Sequence, residues 1–148
     1  MREGDDEPDG IPALRWSDSL AIGIAELDRD HRELIHDAAT LIKLFQARNP
    51  WAEIRKQVEL MAERCTNHFR QEEAILEKDG FPGRQQHAVE HRRIESEIAD
   101  ILKSVREATD PPAADIVEVV MFFRSMLVDH LVRCDLRYKS HLLYVRGR

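Results

Sequence analysis

Two pairs of residues four apart carry the first chemical signal in this sequence: His68 with Glu72, and His87 with His91. At that spacing two side chains stand one turn apart on the same face of a helix, so each pair can grip one metal ion or share a dinuclear pair. His31, His130 and Asp135 add further donors of the same kinds. A lone pair of histidines at this spacing is a weak signal, whereas an ordered set of such donors along the chain is a strong one. His130 and Asp135 are five apart, which on a regular α-helix would leave them about 140° apart. The backbone there must either widen into a π-bulge or end its helix.

The elements that have to position these groups follow from the apolar spacing. Ile24, Leu27, His31, Leu34, Ala38, Leu41 and Phe45 recur in steps of three and four. So do Ile54, Val58, Met61, Cys65, His68, Glu72 and Ile75; His87, His91, Ile94, Ile98, Ile101 and Val105; and Ile116, Val120, Phe123, Leu127 and His130. Each series is the inward stripe of a long helix. Asn49-Pro50 and Asp110-Pro111-Pro112 read as cap-plus-proline helix starts, and Asp79-Gly80-Phe81-Pro82-Gly83 as a breaker. The fold predicted is all-α, an up-down-up-down four-helix bundle with a short C-terminal helix or extension.

That topology brings the donors together. His31, His87 and His91 lie early in the first and third helices, and His68, Glu72 and His130 late in the second and fourth, so all converge on one end of the core. Asp135 follows close behind. One histidine on an apolar stripe is ordinarily a core histidine bonded to a carbonyl. Five imidazoles and two carboxylates in one layer, with no Lys or Arg on the stripes at that level, leave too many buried polar groups in need of partners. A metal centre satisfies all of them.

With these residues in place, the chain resembles the hemerythrin family, in particular its single-domain bacterial members. The resemblance rests on Trp16…Ile22-Gly23-Ile24…Leu27-Asp28…His31, then His68-Phe69…Glu72-Glu73, then Pro82…His87…His91, then His130…Asp135…Tyr138. It implies a non-haem pair of irons per chain that binds O2 reversibly, bridged by carboxylates and an oxo or hydroxo group. By position, His87, His91 and His130 would hold one iron, His31 and His68 the other, and Glu72 and Asp135 would span the two. Two irons taking about six ligands each offer about twelve positions, and five histidines, two bridging carboxylates and one shared oxygen occupy all but one of them. One vacancy suits a diatomic ligand. Ferritin-like di-iron enzymes invert the ratio, with mostly carboxylates and two histidines. Leu127, three residues before His130 on the same stripe, should cover the vacancy, and the resemblance also places a leucine at the O2 pocket wall. Met126 stands where the family often has tryptophan.

Composition sets the remaining bounds. The chain has 148 residues, enough for one domain with its own core. Residues 1–12 are expected as a disordered acidic tail and residues 13–148 as the hemerythrin-like bundle domain. A net charge of −6 without a basic stripe argues against nucleic acid. No apolar run is long enough to span a membrane, and no basic-then-apolar leader opens the chain, so a cytoplasmic location is expected. Two cysteines make no disulfide framework; Cys65 reads as a small buried hydrophobe, and Cys134 flanks Asp135. His36 and His141 read as solvated, Arg92-Arg93 with Glu95 and Glu97 as a charged outer face, and Trp16 and Trp51 as packing anchors. The function expected is O2 carriage, storage or delivery, without enzymatic turnover. The alternatives are an O2, NO or redox sensor module, and a di-iron enzyme such as a peroxidase or an NO-consuming activity. The absence of an output module weighs against the first alternative. The absence of Tyr or Trp on the inner stripes beside the iron site weighs against the second.

Overall fold

The lead-in to the first long helix shows how a short motif is converted into geometry. Gly23 has a φ of +98°, a left-handed conformation that side chains resist. The turn it makes points the N–H groups of Ile22 and Gly23 at the carboxylate of Asp28, which accepts both at 2.7 and 3.0 Å. Helix α1 then runs over Ala25–Gln46 with no side-chain cap of its own, because Asp28 in its first turn already ties down the approaching chain. Asp28→Ala is therefore expected to cost about 1.5–3 kcal/mol, the range for hydrogen bonds to a charged group, read as a lower urea midpoint. Asp28→Asn should recover part of it.

The computed structural model describes residues 10–146, without the side chains at positions 134, 135, 138, 142 and 146. After α1 come α2 (Trp51–Lys78), α3 (Arg84–Glu107) and α4 (Ala113–Asp129). A π-helical segment over His130–Asp135 and a 3₁₀ turn over Leu136–Tyr138 lead to α5 (Lys139–Arg146). Helix α1 packs against α2 and α4, and α2 against α3, as an up-down-up-down bundle requires. No strand occurs among the described residues, and none of their helices is long and apolar enough to cross a membrane.

Two helix starts differ from expectation. Neither Asn49 nor Asp110 caps a helix: Pro50 and Pro112 occupy the cap positions, and their carbonyls accept the first helical N–H groups. The Asn49 amide turns back instead to donate to the carbonyl of Leu44, closing the end of α1. Most of the expected tail lies in residues 1–9, outside the described residues. Ile11, within the stretch read as tail, is buried in the main core, and Arg124 of α4 donates to the carbonyl of Pro12 at 2.9 Å. A single isoleucine has no periodicity to announce that it packs.

The core has two parts. The larger fills most of the bundle and includes Leu34, Val58, Met61, Phe69, Ile94, Phe123, Met126 and Leu127. The smaller, made by Ile22, Ile24, Leu27 and Leu76 with Ile75, Phe81 and Leu136 packed on it, plugs one end. Along α1 and α2 the two are separated by one layer, and that layer is polar.

Candidate metal centre

His31 of α1 stands one turn beyond Leu27 of the plug, and Glu72 of α2 one turn short of Leu76, so both fall in the gap between the two apolar cores. His87 and His91 come from the first two turns of α3. His130 comes from the junction of α4 with the π-helical segment. All six of these side chains, His68 included, are buried, with His31, Glu72 and His91 fully enclosed.

Glu72 organises the layer. Its Oε2 faces the Nε2 atoms of His31 and His68 at 3.3 and 3.1 Å. Its Oε1 faces the Nε2 atoms of His91 at 3.2 Å and His130 at 3.6 Å, and makes a short contact with that of His87. One carboxylate thus has one oxygen toward two imidazoles and the other toward three. Within the groups, the Nε2 atoms of His31 and His68 approach to 2.9 Å, and those of His91 and His130 to 3.0 Å. Only one nitrogen of such a facing pair can carry the proton between them. Five buried nitrogens converging on one carboxylate are a donor set that fits metal cations, four groups around one position and three around the other with Glu72 common to both.

The convergence also sets the electrostatics of the layer. Burial alone would push the Glu72 carboxyl up, but hydrogen bonds from His130, His31, His68 and His87 hold it well below the usual carboxylate range. Burial pulls the His68 imidazole down, and its bonds to Asp30 and Glu72 outweigh that and raise it.

Ring orientation is set from outside the layer. The Nδ1 of His68 meets Asp30 at 3.3 Å, and that of His91 meets Glu73 at 2.8 Å. A carboxylate behind a ligating imidazole fixes the tautomer and turns the other nitrogen inward. Phe69 closes the layer from the main-core side, stacked on His91 at 4.2 Å and edge-on to His130 at 5.4 Å. Leu127 is buried in the same core.

Six of the eight expected site residues are thus gathered in one layer, and Leu127 lies in the adjoining core. The side chain of Asp135 is outside the described residues. The backbone between His130 and Asp135 is π-helical, one of the two forms the five-residue spacing demands, and i→i+5 hydrogen bonding sets these positions about one turn apart. Asp30, Glu73 and Phe69 are site residues that ligand spacing alone does not select. Their signal is adjacency: each is next in sequence to a candidate ligand.

Other expectations divide. Cys65 is buried, and burial pushes its thiol up to about 12, as suits a small hydrophobe. Cys134's side chain is outside the described residues. His36 is exposed, but His141 is half-buried, packed edge-on against Phe81, with Nε2 directed at the carbonyl of Asp79 at 3.4 Å. It helps seat α5 against the α2–α3 turn and is not a solvated spare. Arg93 is on a charged outer face, paired with Glu90 and Glu97, whereas Arg92 and Glu95 belong to a network that reaches His91 through Glu73.

Comparison with known proteins adds independent weight. Residues 22–142 match the model of the hemerythrin HHE cation binding domain. The chain is 28% identical over 127 residues to myohemerythrin of Riftia pachyptila, covering 86% of this chain and 92% of that one. It is 28% identical over 128 residues to a hemerythrin subunit of Sipunculus nudus, covering 86% and 92%. With bacteriohemerythrin of Methylococcus capsulatus it shares 26% over 117 residues, covering 79% and 85%.

Proposed function

Since the chain belongs to the hemerythrin HHE family, we propose that its buried layer holds two non-haem irons and that the pair binds O2 reversibly. The observation that carries this reading is the division of Glu72 between two histidine groups, which is what one carboxylate spanning two cations requires. In this reading His87, His91 and His130 hold one iron, His31 and His68 hold the other, and Glu72 spans them. Asp135 is the second spanning carboxylate.

A ferrous pair, when bound, supplies the electrons that O2 takes up on binding and recovers them on release. The chain's own part is to keep that exchange from leaking. His68 and His91 are held by Asp30 and Glu73 so that their Nε2 atoms face inward. In this reading Phe69 and Leu127 on one side and the plug of Ile22, Ile24, Leu27 and Leu76 on the other wall the layer with apolar side chains. Excluding water suppresses side reactions of a bound reactive group. Aliphatic residues and phenylalanine beside the layer suit binding better than the relay of oxidising equivalents. We therefore read the role as O2 carriage, storage or delivery in the cytoplasm, by a single bundle domain, with O2 as the small-molecule partner and no nucleic acid.

Anaerobic reduction of the iron-loaded protein, admission of O2 and then an argon sweep tests the function. Uptake of one O2 for each pair of irons, with the ferrous spectrum restored by the sweep, is expected. Consumption of O2 with irreversible passage to the ferric state would contradict it.

A further inference from the structure

The carboxylates behind His91 and His68 are held very differently. Glu73, behind His91, belongs to a closed ring of alternating charge. Arg70 reaches Glu73 at 2.9 Å and Glu95 at 2.7 Å, while Arg92 reaches Glu95 at 2.8 Å and Glu73 through a short contact. Two members come from α2 and two from α3, so the ring also fastens these helices together at the level of the layer. Its carboxylates are less than one-fifth exposed. Asp30, behind His68, has no guanidinium partner among the described residues.

The consequence is mechanical before it is electrostatic. An isolated surface ion pair is weakly held because either partner is free to turn to water. Glu73 accepts from two guanidiniums and faces His91, which leaves its carboxylate few other positions, and His91 inherits that constraint. Outer carboxylates of this kind raise metal affinity by about 10–100-fold through the ligand they hold. Among the described residues Asp30 is tied at one point, and its contact is the longer by half an ångström.

We propose that Glu73, fixed by Arg70 and Arg92, is the positioning residue of His91, and that it makes the His87–His91–His130 group the tighter of two unequal metal positions. His31 and His68, the second of them oriented by Asp30, form the weaker position. The proposal rests on the two-metal reading above.

Competition between the iron-loaded ferrous protein and a graded ferrous chelator, under anaerobic conditions, reads both affinities directly. Wild type should lose its irons in two steps. Glu73→Gln should weaken the tighter step by about 10–100-fold, and Arg92→Gln should move the same step less. Asp30→Asn should weaken only the looser step. Arg93→Gln, which removes ion pairs confined to α3, should move neither, and far-UV circular dichroism shows that each variant keeps its helices. If wild type holds two irons but Glu73→Gln and Arg92→Gln leave the tighter step in place, or if Arg93→Gln shifts it equally, the assignment is overturned. A wild-type chain that never holds more than one iron would instead overturn the function from which the proposal starts.

Discussion

Glu72→Ala is expected to abolish paired iron. The carboxylate is fully buried and, among the described residues, is the one group in both donor clusters, so its loss leaves Asp135 as the sole carboxylate proposed to span the two sets of imidazoles. It also removes the negative charge that offsets two divalent cations in a water-poor layer, where uncompensated charge is costly. Glu72→Gln separates these effects. It keeps the shape and an oxygen acceptor but not the charge, and should still fail to hold a coupled pair. Iron content per chain should fall from two to one or none in both variants. His36→Ala should retain both irons, since that side chain is exposed. His141→Ala should also retain both while loosening α5, because its contacts are with Phe81 and Asp79.

The second large effect is expected at Leu127. It is buried in the core that adjoins the polar layer, three residues before His130 on the same helical face. If it walls the O2 site, Leu127→Asn should admit water there and speed conversion of the ferrous protein to the ferric form in air on the order of tenfold, equivalent to about 1.4 kcal/mol in the barrier. Leu127→Ala should act in the same direction. A leucine that is only packing predicts a different pattern, a loss of about 2–5 kcal/mol of stability for Leu127→Ala with the oxidation rate unchanged. Measuring ferrous lifetime and melting temperature on both variants distinguishes the two.

Much of this arrangement is legible before any coordinates. The four stripes are strong because long helices repeat their inward face many times, and the polar residues that interrupt them stand out against leucine, isoleucine and valine. Connectivity then brings those interruptions to one end. The spacing of His130 and Asp135 also forces an irregular backbone, and the π-helical segment is one of the two solutions available. What escapes is whatever lies off the stripe. Asp30, Glu73 and Arg92 occupy the polar flank, where an orienting carboxylate and a solvated one look alike until the facing helix is in place. Ile11 and His141 act through single long-range contacts with no periodic neighbours. Asn49 and Asp110 are good capping residues displaced by the prolines that follow them, whose carbonyls already accept the first helical N–H groups.

The central claim, that one buried layer divides a shared carboxylate between two irons, is tested most directly by counting metal. Protein reconstituted anaerobically with ferrous iron, then freed of loosely bound ions, should contain two irons per chain by elemental analysis. One iron per chain, or none, would contradict it.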